Sequence, residues 1–207
     1  MTTFADEPFS SRRHRGRPRE FDMNDALDKA VRVFSQRGYH GTSISDLTRE
    51  MGLAQGSIYK AFGDKAGVFV AAFQRYRAVR VEKLRQTVGT HGTGRERLQR
   101  ALGFYVDSSQ GEEGLLGCLV VASAAELSTF EPEVAGHIVN ALDRNETFLK
   151  GLIREGQDDG SIPGSVDPGA TARMFLCLVQ GMRIVGKTGR RRKEMQSTVD
   201  TALRALT

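Results

Sequence analysis

Apolar residues recur at helical spacing along almost the whole chain. Leu27, Ala30, Val31 and Phe34 line one face of a first helix over Asp22 to Arg37, and Gly38 closes it. The next stretch, Thr42 to Phe62 (TSISDLTREMGLAQGSIYKAF), reads as two short helices joined by a tight turn. Ser43 followed by Asp46 is a capping-box-like start, because the Ser hydroxyl accepts a backbone N–H and Asp46 reaches back. Ile44, Leu47 and Met51 form one apolar face, and Gly52 stops the helix by adopting a left-handed conformation at no steric cost. Ile58 and Phe62 then point inward, which leaves Gln55, Ser57, Tyr59 and Lys60 outward. The pattern fits a helix-turn-helix whose second helix enters a DNA major groove. It fits a plain αα-hairpin in a helical core equally well.

Asp64 caps a long helix from Lys65 to about Val88, with the stripe Val68, Phe69, Ala72, Phe73 and Tyr76. At ~1.5 Å per residue it spans roughly 35 Å, from the presumed DNA site to the rest of the chain. Thr87 to Gly94 is glycine-rich, but no strand precedes it, so it reads as a hinge and not a phosphate cradle. Arg95 to Gln110 is helical, with Leu98, Ala101, Leu102, Tyr105 and Val106 inward, and Gly111 to Gly114 breaks the chain. Leu115 to Leu127 is apolar on nearly all sides. Periodicity alone allows a buried strand, whereas its length and alanine content favour a buried helix. Pro132 opens a long helix to about Gln157, and Gln157 to Pro168 is a loop rich in Gly, Pro and Asp. Asp167 and Pro168 start a helix to about Lys187, and Glu194 to Leu206 forms the last one. The expected fold is all-α, with about nine helices.

Charge and composition narrow the partners. The net charge of +5 and pI of about 9.5 favour a polyanion. Residues 11–19 (SRRHRGRPR) hold five Arg and no acid. Residues 1–20 read as a disordered basic arm, with Arg15, Arg17 and Arg19 either entering a minor groove or only solvated near DNA. Two cysteines, Cys118 and Cys177, suit a reduced, cytoplasmic protein. There is no signal peptide pattern, and the longest apolar run falls far short of the ~20 residues that span a bilayer. No zinc spacing or nucleophile elbow is present, so neither a metal, a cofactor nor an enzymatic activity is expected.

Ala26 to Phe73 resembles the DNA-binding domain of TetR-family transcription regulators. The matching residues are Ala30, Phe34, Gly38, Tyr39, Gly41, Thr42, Ser43, Ile44, Leu47, Gly52, Gly56, Ser57, Ile58, Tyr59, Phe62, Lys65 and Phe69. Ala54 stands where a Ser or Thr often caps the recognition helix, and Ala61 where His is frequent. The run G-C-L-V-V-x-x-A-x-E-L from Gly117 is also similar to the central ligand-domain helix of one branch of that family. The resemblance implies a helix-turn-helix unit over 21–65 and a helical ligand-binding and dimerisation domain over 66–207. It also implies a homodimer on a double-stranded, pseudo-palindromic operator, with a small-molecule inducer.

The expected DNA contacts are Gln55, Gly56, Ser57, Tyr59 and Lys60 on the second helix, with Tyr39, Thr42, Ser43 and Lys65 on phosphates. Gly181 and Gly186 inside a helix suggest close approach by a second copy, through Leu178, Gly181, Met182, Val185, Met195, Val199, Ala202 and Leu203. The ligand is expected to be small and mostly apolar, among Phe104, Tyr105, Ser108, Cys118, Val121, Met174, Cys177 and Gln180. Ordinary core packing is the plainer alternative for each of these. Two other functions stay open: a constitutive DNA-organising protein, and a thiol-based oxidant or electrophile sensor through Cys118. The sensor would need a cation brought from another helix, such as Arg173 or Arg183.

Overall fold

The computed structural model describes residues 22–207. The expected arm, with Arg15, Arg17 and Arg19, lies outside them. Among the described residues the chain is all-α, and several helix boundaries have a local cause. Helix α1 (Met23–Arg37) starts on the Asp22 carboxylate, which accepts the Asn24 N–H. Helix α2 (Ile44–Met51) carries the reciprocal capping box of Ser43 and Asp46, and Gly52 ends it at φ 70° in the left-handed region. Helix α3 (Gln55–Phe62) has no side-chain cap, because Ala54 precedes it. Asp64 caps α4 (Lys65–Val88), and a Thr93–Glu96 capping box opens α5 (Gly94–Ser108).

The apolar segment after α5 is two helices and not one. Helix α6 (Gly111–Leu116) ends at Gly117, whose φ of 88° breaks the helix, and α7 (Leu119–Ala125) follows. The glycines read as a break between Gly111 and Gly114 are instead the start of α6. Helices α8 (Pro132–Asp158) and α9 (Pro168–Val185) each begin on a proline, and α10 (Arg192–Leu203) closes the fold.

Buried side chains form two cores. The first joins Phe34, Leu47, Ile58 and Phe69 to Leu119, Val134 and Ile138, so α7 and the start of α8 complete the interior of the helix-turn-helix unit. The second joins Leu84, Leu98, Leu102, Ile153, Phe175, Val179 and Leu203. A division at residue 65 therefore does not separate the cores. A three-helix unit this small buries too little surface to be stable alone. Aromatic rings make the seam: Phe69 lies 5.2 Å from both Phe34 and Phe130, and Phe130 lies 4.9 Å from Tyr39.

Gly38 shows how tightly that seam closes. Its φ of 71° and ψ of 177° belong to a region open essentially to glycine alone. A Cβ there would also collide with the Glu126 carboxylate. Gly52 has a positive φ too, but nothing within 4 Å of its missing Cβ. Gly38→Ala is expected to cost about 2–3 kcal/mol, and Gly52→Ala about 1 kcal/mol, measured from urea unfolding midpoints. Equal costs would mean that the Glu126 contact adds nothing.

Candidate nucleic-acid interface and ligand cavity

Helix α3 buries Ile58 and leaves Gln55, Gly56, Ser57, Tyr59 and Lys60 exposed. Among the described residues, none of these side chains hydrogen-bonds to another. Tyr59 is 45% exposed, which is unusual for a large aromatic residue with a buried neighbour. An amide, hydroxyls and an ammonium thus project from one short helix with no partner among the described residues.

The four residues expected on phosphates are placed differently. Thr42 is 2% exposed, and its hydroxyl donates to the Gly38 carbonyl at 2.7 Å. Lys65 turns inward: its Nζ donates to the carbonyls of Tyr39 and Thr42, both at 3.1 Å, and sits 4.3 Å over the Tyr39 ring. These two residues brace the turn between α1 and α2 and do not face outward. The Tyr39 ring is packed among Phe34, Phe69 and Phe130, and burial is the main reason its phenol titrates above the ordinary range. Ser43 is exposed, but its hydroxyl is shared with Asp46, whose carboxyl is held far below the usual range by that bond first and by Arg49 and Arg37 after it. Lys60 is the cation on α3 that stays free among the described residues.

The turn is also tied to the second half of the chain. The Glu126 carboxylate accepts the backbone N–H of Tyr39 at 3.2 Å and of His40 at 3.4 Å. His40 Nε2 meets Thr129 Oγ1 at 2.7 Å. The residue after α7 thus holds the loop that leads into the helix-turn-helix.

The middle of α4 forms a polar waist between the two cores. Phe69 and Phe73 belong to the first core and Leu84 and Val88 to the second, while Tyr76, Arg77, Arg80 and Val81 between them line a small cavity. Phe104, Tyr105, Cys118 and Gln180 also line it, four of the residues expected at a pocket. Ser108 reaches the same place by accepting from Arg80 Nη2 at 3.0 Å. The cavity measures about 30 Å³, and the hollows beside it, which share the Arg77 and Val81 wall, about 350 and 540 Å³.

Three expected pocket residues lie elsewhere. Val121 packs against the first core. Met174 and Cys177 are exposed on the outer face of α9. Reading α4 as a plain apolar stripe missed Arg77 and Arg80, although Arg80 falls in phase between Tyr76 and Leu84, where a buried position should carry no charge. Burial raises the pKa values of the Tyr76 and Tyr105 phenols. Tyr76 donates to Cys118 Sγ at 3.4 Å. Arg183, 1% exposed, donates through Nη2 to the Gly117 carbonyl at 2.9 Å, beside Cys118. Arg173 is far out on α9 and pairs with Glu146.

The expected dimer face also shifts. Met182, Met195, Val199 and Leu203 are between 0% and 8% exposed, inside the chain's own second core. Leu178 and Ala202 pack partly against that core. What remains outside is a stripe along α9: Met174, Cys177, Gly181, Ile184 and Val185, with Ile184 56% exposed. A Cβ on Gly181 would meet nothing within 4 Å. Among the described residues, no group of three or more His, Cys, Asp or Glu side chains gathers as a metal site, and no helix is long and apolar enough to cross a membrane.

Comparison with known proteins places this arrangement. Residues 26–72 match the profile of bacterial regulatory proteins of the tetR family, and residues 94–202 match the tetracyclin repressor-like C-terminal domain. The transcriptional repressor ComR of Escherichia coli K12 is 27% identical over 93% of this chain and 92% of its own. The regulator YezE of Bacillus subtilis 168 is 28% identical over 92% and 99%. A cysteine-mutant form of the TetR-family regulator CifR, solved with 26-base-pair double-strand operator DNA, is 30% identical, superposes with a TM-score of 0.82, and covers 92% of this chain and 100% of its own. The outward face of α3, the long α4 and the helical second half are thus those of a known class, and the chain belongs to the TetR family of transcriptional regulators.

Proposed function

We propose that the chain is a ligand-responsive repressor that acts in the cytoplasm, binds a pseudo-palindromic operator as a homodimer, and is released by a small, largely apolar inducer. The unsatisfied outer face of α3 carries the DNA half of this reading. Gln55 suits a base edge, Lys60 a phosphate, and Ser57 and Tyr59 either sugar or phosphate oxygen. Gly56, with no side chain, lets the start of α3 approach the duplex closely. Lys65, Thr42 and Tyr39 then act by holding the turn in shape, and Ser43 by capping α2.

The apolar stripe on α9 supports the dimer. A monomer rarely leaves such a row of Met, Ile and Val in water. The outer side of α10 adds Ser197, Thr198 and Thr201, small enough for close helix contact. Two recognition helices must enter successive major grooves, ~34–36 Å apart or a multiple of that. A wedge at the α4 waist tilts α4, changes that distance, and lowers operator affinity. The constitutive DNA-organising alternative leaves the polar waist without a use.

A second reading rests on Cys118, which lines the same cavity with the Tyr76 hydroxyl and Arg80 as neighbours. Modification of its sulfur by an electrophile or oxidant would enlarge the group at the head of α7 and strain the Glu126 contact at the other end.

Lys60→Ala is expected to weaken binding to every DNA sequence alike and to reduce the salt slope by about one. Gln55→Ala is expected to change which operator is selected from a random library. A reversed result would exchange their roles. Ile184→Arg is expected to yield a folded monomer by light scattering that no longer retards operator DNA. A dimer unchanged in mass would remove α9 from the interface. For the thiol reading, Cys118→Ser should retain operator binding in peroxide that releases the wild type. Release that is identical in both proteins leaves the reversible ligand alone.

A further inference from the structure

The wall of the α4–α8 cleft carries more positive charge than a purely apolar ligand requires. Arg77 is common to the inner cavity and to both outer hollows. Its Nη1 is buried and has no hydrogen-bond partner. Across the cleft, Arg144 lines both outer hollows, and Arg85 lines the one of about 350 Å³. Among the described residues, no carboxylate lies within 4 Å of Arg77 or Arg144. Arg80 is different, because Glu113 pairs with it. Burial first, and the like charge of Arg144 second, work against the charge on Arg77.

Leaving a buried guanidinium donor empty is costly, and two converging cations without a counter-ion add repulsion. A bound anion would remove both costs at once. The apolar part of the wall is Val81, Leu84 and Phe148, with the uncharged polar Asn145 and Thr147 beside them. Its volume of about 350 Å³ is that of an ordinary small-ligand site.

We infer that the α4–α8 cleft binds a small amphiphilic carboxylate, its head group between Arg77 and Arg144 and its apolar body along Val81, Leu84 and Phe148. This rests on the ligand-responsive reading above and names the chemical class of the ligand. An anion drawing Arg77 of α4 toward Arg144 of α8 acts on the helix that carries the helix-turn-helix unit, so head-group capture and α4 displacement are one event.

Octanoate, octanol and octylamine have one chain and three head groups. Titrated calorimetrically into the full chain, octanoate is expected to bind at least about tenfold tighter than octanol, with octylamine weakest. Arg77→Met keeps side-chain length and should erase the difference between octanoate and octanol. Arg144→Met, on the exposed rim, should reduce it and keeps the test decisive if Arg77→Met does not fold. Octanol binding as tightly as octanoate, or a preference for octanoate that survives Arg144→Met and a folded Arg77→Met, overturns the carboxylate assignment while a ligand site remains. So does the absence of any binding at ten millimolar, whereupon operator release by other small molecules judges the ligand-responsive reading separately.

Discussion

Two backbone N–H groups, those of Tyr39 and His40, donate to one carboxylate, Glu126, and this small contact joins the halves of the molecule. The turn it grips leads directly into α2 and α3. Glu126 itself follows α7, whose other end begins at Cys118 on the cavity wall. Gly38 must be glycine for the turn to come so close. Lys65 grips the same turn from the other side, through the carbonyls of Tyr39 and Thr42. The orientation of α3 therefore depends on α4 and α7 together, and on the Phe130 ring that seals the space between them.

Helix α4 is the second link. Its first half is buried with the helix-turn-helix core and its last turns with the other core. The two cores meet at the waist, where Tyr76, Arg77 and Arg80 face the cavity beside Val120 of the first core and Leu84 of the second. Interiors pack densely and resist deformation, so displacement concentrates where packing is incomplete. The waist, with its small cavity, lies between two densely packed cores and is where packing resists displacement least.

The outer surface of α9 follows from the same division of labour. Its inner face, with Phe175, Val179 and Met182, completes the second core. The opposite face keeps Met174, Ile184 and Val185 in contact with solvent in the isolated chain. Two faces of one helix are thus apolar, one turned to the chain's own core and one to solvent.

Local sequence determined the parts whose causes lie within one or two turns. The Ser43–Asp46 capping box, the Gly52 stop, the proline starts of α8 and α9, and the outward set on α3 follow from hydrogen bonding and side-chain periodicity alone. Tertiary structure decided whatever depends on residues distant in the chain. Periodicity shows that Met195, Val199 and Leu203 are apolar. It does not show whether the surface covering them belongs to the same chain, and here it does. Thr42 and Lys65 carry groups suited to phosphate, yet the Gly38, Tyr39 and Thr42 carbonyls use those donors first. The waist was hidden for the same reason. Arginines on a helical stripe read as solvent-facing until α5, α7 and α8 close around them and remove the water.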